Sequence, residues 1–188
     1  MSKETVIRIG GPAMILGGVL WLVANLGHMP MEYFGGFDFD PVWRIVFPPL
    51  LIGLYALTVY AGTSYPMRTG ARIALVSGAA AYLAVLGGTA VLLPHWLGSV
   101  LFLVLAVLFF GIGALREKPL PRWNGVAVLL VTPLFAFIVS NVLWGLLAEP
   151  RPGLFANFAL TTGFGLVGLC WVLLGCAMLP PKSRTPMS

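Results

Sequence analysis

Apolar residues run through this chain in long stretches broken by short polar segments, without the two-residue alternation of a half-buried strand. Six stretches approach or exceed the roughly 20 residues a helix needs to cross a bilayer: Ile7–Gly27, Val46–Thr63, Ile73–Leu93, Trp96–Leu115, Gly125–Leu147 and Leu154–Leu179. Turn chemistry separates them at His28-Met29-Pro30, Tyr65-Pro66, Pro94-His95, Lys118-Pro119 and Glu149-Pro150-Arg151-Pro152-Gly153. Proline lacks a backbone donor and clashes with the preceding turn, so each of these positions is expected to end a helix. The pattern predicts an all-α membrane protein. Residues 1–188 would form a single polytopic transmembrane domain, a bundle of about six helices.

Composition sharpens this picture. Hydrophobic residues make up 59%, charged residues 9%, and mean hydropathy is +0.96, whereas a soluble domain carries roughly 25% charged residues. So few charges cannot wet a globule of this size, and the lipid bilayer becomes the first partner of the chain. Other membrane subunits, or a second copy of the chain, are the further partners this class suggests. The first run is too long for the core of a cleaved signal peptide and is expected to be a retained span.

The net charge of +5 does not point to nucleic acid, because the 11 Lys and Arg residues are scattered between apolar runs and form no basic patch. Their distribution carries topology instead. Nine fall in one set of alternate loops and two, Arg44 and Arg151, in the other. Cations are retained on the cytoplasmic side. Both termini are therefore expected in the cytoplasm, with the chain in the plasma (cell inner) membrane. Trp43, Trp96 and Trp144 are expected as outer-boundary anchors and Trp123 as an inner one, while Trp21 and Trp171 would face a helix or lipid. Small-residue spacings, Ala74-Gly78 and Ala80-Ala84 in the third run and Gly168 with Gly175 in the sixth, suggest close helix packing. Cys170 and Cys176, six residues apart in one helix, would lie on different faces and form no pair.

Catalytic signatures are missing: there is no Gly-x-Ser-x-Gly elbow, no His-Glu-x-x-His and no phosphate loop. No residue is assigned a catalytic role, and neither a metal nor a cofactor is identified by any motif. What remains is an asymmetry. On the expected outer side lie Glu32, Asp38, Asp40 and Glu149, four of the six acidic residues, with His28 and His95. Asn25, Asn141 and Asn157 fall in the outer thirds of their spans, where buried polar groups usually face a partner or a cavity. A loop from Met29 to Trp43, with Gly35-Gly36 as hinges, is expected to fold over the helix ends.

The candidate ligand-binding set is Asn25, His28, Glu32, Asp38, Asp40, His95, Asn141 and Asn157. It favours a non-catalytic, transporter-like or complex-forming component with an outer-facing polar pocket for a small solute or cation. One alternative is a membrane-embedded enzyme acting on a lipid or isoprenoid at the outer leaflet. Another is a b-type cytochrome subunit with His28 and His95 as haem ligands. A plainer account makes these same residues helix caps and headgroup neighbours.

Overall fold

The structure is a computed structural model that describes residues 1–35, 40–62, 65–87 and 154–179. These fold into four helices: α1 (Lys3–Gly35), α2 (Asp40–Tyr60), α3 (Tyr65–Leu86) and α4 (Leu154–Met178). Among the described residues there are no strands. Among the described residues, three segments are long and apolar enough to cross a membrane: Lys3–Gly27, Pro41–Tyr60 and Met67–Leu86. The chain is thus all-helical in its described parts, with the helix lengths and compositions of a membrane protein. The expected spans Trp96–Leu115 and Gly125–Leu147 lie outside the described residues.

Helix α1 begins with a side-chain cap. Ser2 Oγ accepts a hydrogen bond from the Thr5 N–H at 3.2 Å, relieving one of the donors that a helix start leaves unpaired. The helix then packs between α2 and α4. Its buried positions follow two adjacent seven-residue series. Gly10, Gly17 and Ala24, with Met14 and Trp21, face α2; Gly11, Gly18 and Asn25 face α4. A further stripe, including Ile9, Leu16 and Val23, is exposed, as expected of a surface turned to lipid.

Both neighbours run antiparallel to α1. Gly17 lies against Leu50 and Gly53 against Met14, so α2 descends as α1 rises; likewise Gly18 meets Gly168 and Gly11 meets Gly175 of α4. Without water to drive apolar faces together, helices associate where small residues let backbones approach. The glycines of α4 anticipated from sequence therefore do pack, and they pack on Gly11 and Gly18. Helix α3 lies on α2, burying Ala74, Gly78, Ala81 and Ala84. Ala80, expected in that seam, is exposed, and its neighbour Ala81 takes the buried position.

Several expected boundaries move. α1 does not stop at Gly27 but continues through His28-Met29-Pro30 to Gly35. At 33 residues it is about 50 Å long against a hydrocarbon core of roughly 30 Å. Pro30 frees the carbonyl of Leu26, the last residue but one of this candidate span, where a carbonyl can reach water or headgroups, so it need not end the helix. α2 begins at Asp40, so Pro48 and Pro49 lie inside it rather than near its start. The residues before them are worth keeping helical, because Trp43, Val46 and Phe47 are all buried. The expected loop from Met29 to Trp43 is therefore mostly helix, in α1 and α2, and residues 36–39 lie outside the described set. Tyr65 and Pro66 open α3 instead of breaking a span, since proline is well placed in a first turn. The turn before them is made by Gly62, whose φ of 58° favours glycine.

Candidate functional site

At the end of the bundle away from Ser2, α1 and α2 bring aromatic rings together beneath a buried amide. Trp21 meets Trp43 edge-on, with centroids 5.4 Å apart and planes at 74°. Phe47 stands edge-on to Trp21 at 6.0 Å and lies 5.9 Å from Tyr82 of α3. Such perpendicular contacts align the positive ring edge with a negative face. Trp43, expected as a boundary anchor, is instead covered by its neighbours at 5% exposure, and Trp21 at 1%. The signal in the sequence was the four-residue spacing of Trp21 with Asn25 and of Trp43 with Phe47. Both spacings stack side chains on one helix face.

Asn25 is the one candidate whose side chain is described. It is buried, 6% exposed, and its Nδ2 donates to the Trp21 carbonyl at 2.9 Å. Its Cβ approaches Gly165 of α4, where a methyl would sit 3.2 Å away. The bond to its own helix uses one amide hydrogen. A carboxamide has a second hydrogen and a carbonyl acceptor left over, and among the described residues neither is engaged.

Because α1 continues as helix, His28 and Glu32 follow Asn25 at three and seven residues, the spacing of one helical stripe. The step from Gly11 to Gly18 to Asn25 reaches Glu32 next. The antiparallel registers bring two further candidates to this end. Counting eleven residues back from Gly168 and eleven forward from Gly18 sets Asn157 level with Met29; counting eight from the Gly165–Asn25 contact sets it level with Tyr33. Asp40, the first residue of α2, stands ten residues before Leu50 and so falls level with Gly27, ten beyond Gly17. Five of the eight candidates therefore occupy positions at one end of three packed helices. Asp38, His95 and Asn141 lie outside the described residues, as do Glu149 and Arg151.

A second polar group is buried deeper. Trp171 of α4 is 1% exposed, and among the described residues its indole Nε1 has no hydrogen-bond partner. It faces protein rather than lipid. Cys170 is buried and Cys176 exposed, both as free thiols, in agreement with their six-residue separation. Among the described residues, no three His, Cys, Asp or Glu side chains gather as a metal site.

No protein-family model, no curated protein and no solved structure matches this chain.

Proposed function

We propose that the chain is a six-span protein of the plasma (cell inner) membrane with both termini in the cytoplasm. Its outer half would hold a polar site for a small solute or cation, built without catalytic machinery. The observation that carries this reading is the buried carboxamide of Asn25, 6% exposed, at the head of a helical stripe that continues to His28 and Glu32. A polar group in hydrocarbon is costly unless it meets a partner or a cavity. Asn25 approaches Gly165 of α4, and Asn157 of α4 falls level with positions that follow Asn25 on α1, which supports a shared site between these helices.

Parity supports the span count. α3 runs parallel to α1, and α4 runs antiparallel to it, so an even number of crossings must separate α3 from α4. The intervening sequence contains two apolar runs of spanning length. Lys3 and Met178 line one common groove, which supports placing the start of α1 and the end of α4 on one side. The nine-to-two cation distribution then assigns that side to the cytoplasm.

The site is tested on the full chain in nanodiscs, by its melting temperature in alkali and alkaline-earth chlorides and in small neutral solutes. A ligand that binds only the folded state must raise it; saturation at a hundredfold over Kd is worth about 2.7 kcal/mol. At least one solute is expected to do so, and His28→Ala and Glu32→Gln should each abolish the rise. No shift from any solute, or a shift that survives both substitutions, overturns the site. Orientation is tested separately in a background lacking Cys170 and Cys176. An impermeant maleimide added outside should label Phe37→Cys and spare Lys118→Cys.

A further inference from the structure

The end of the bundle opposite the polar stripe carries a groove of about 380 Å³ between the start of α1 and the end of α4. Lys3, Glu4, Ile7, Arg8 and Met178 line it. Ile7 and Met178 supply an apolar wall, and Lys3 and Arg8 supply two cations, both exposed. Among the described residues neither cation forms an ion pair, although Glu4 lies between them in sequence. Lys3 Nζ is held near the turn after α2, 3.9 Å from where a Cβ on Gly62 would stand. A cation is favoured there by the carbonyls of a helix end. Ser2 Oγ already accepts from the Thr5 N–H, and Lys3 and Arg8 are the cationic donors that line the groove.

Depth identifies the occupant. The candidate span of α1 begins at Lys3 itself, which sets the groove at the level of lipid headgroups. Two cations above an apolar wall match a phosphodiester on a glycerol carrying acyl chains. We propose that this groove seats the headgroup of an anionic phospholipid. The phosphate would lie between Lys3 and Arg8, and the upper acyl chain along Ile7 and Met178. This inference rests on α1 and α4 crossing the bilayer and is independent of the polar site at the other end.

Native mass spectrometry of the full chain tests it, with equal amounts of phosphatidylglycerol and phosphatidylcholine in the micelle. The wild-type chain should retain phosphatidylglycerol preferentially. Lys3→Gln with Arg8→Gln should reduce that preference roughly thirtyfold, the scale expected for two surface cations at a lipid phosphate. Arg68→Gln with Arg72→Gln removes the same charge from α3 and should leave the preference unchanged. Glu4→Gln removes a repulsive neighbour and should raise it, which keeps the proposal open to refutation even where the double variant folds poorly. Equal retention of both lipids by the wild type overturns the proposal, as does an equal loss in the two double variants. Displacement of phosphatidylglycerol by inorganic phosphate alone would mean a free-anion site and also overturns it. So would a preference lost in Lys182→Gln with Arg184→Gln but kept in Lys3→Gln with Arg8→Gln.

Discussion

Two glycines of α1, Gly18 on the face toward α4 and Gly10 on the face toward α2, achieve close packing by different means. Toward α4 the contact is reciprocal and backbone to backbone. A Cβ on Gly18 would lie 2.7 Å from the Gly168 carbonyl oxygen, and a Cβ on Gly168 would lie 2.6 Å from the Gly18 carbonyl oxygen. Toward α2 the limit varies along the face: Gly10 sits under the Ala56 methyl, whereas a Cβ on Gly17 would lie 2.7 Å from the Leu50 nitrogen and one on Gly53 2.7 Å from the Met14 Cα. Above them the gap widens and fills with Trp21, Trp43 and Phe47. The difference teaches that glycines in one helix can be irreplaceable for unlike reasons. A side-chain obstacle can be removed by changing the partner residue, whereas a carbonyl cannot.

The largest effect should come from emptying the wide end of the α2 face. Trp21 is 1% exposed, and Trp21→Ala should destabilise the chain by about 3–5 kcal/mol through lost contacts and a residual cavity. Thermal unfolding in detergent measures it. A loss smaller than that of the glycine substitutions below would mean the aromatic cluster is not where this face is held together.

Next comes the tight seam with α4. Gly168→Ala would bring a methyl to 2.6 Å from the Gly18 oxygen and 2.9 Å from the Leu22 nitrogen, both backbone atoms of α1. The helices must separate, at a cost of about 1–3 kcal/mol. No substitution at Gly18 should restore stability. A compensating side chain there would break the distinction between Gly18 and Gly10.

The smallest net change is expected from a swap on the α2 face. Gly10→Ala alone collides with the Ala56 methyl, while the next atoms, Ala56 Cα at 3.4 Å and the Ile52 oxygen at 3.6 Å, are in ordinary contact. The single substitution should cost about 1–2 kcal/mol. Adding Ala56→Gly should return the chain to within about 0.5 kcal/mol of wild type, a coupling that a double-mutant cycle reads directly. Failure of the rescue would show that backbone sets the limit at Gly10 as well, as it does at Gly17 on the same face.

The candidate site was partly legible along the chain. Asn25, His28 and Asn157 stand out as polar residues in apolar surroundings, and their common level followed from counting along spans. The helical continuation past Pro30 could not be read, because hydropathy reports where hydrocarbon ends and not where a helix ends. For the same reason Glu32 and Asp40 read as loop acids, although the one stands on α1 and the other opens α2. The partner of Trp21 was also hidden: interfacial statistics send a tryptophan near a span end to the headgroups, and only the approach of α1 to α2 showed Trp43 covered.

By itself the sequence determined the solvent and the class of secondary structure. With 59% hydrophobic and 9% charged residues, the chain has too few charges to leave the bilayer, and backbone groups in hydrocarbon must bond within their own helix. The tertiary structure decided which helix lies against which. Every span is apolar all round, so hydropathy cannot rank the faces, and neighbours are chosen by where backbones can approach. The glycine series on α1 has two sides because two helices compete for it, and that competition exists only in three dimensions.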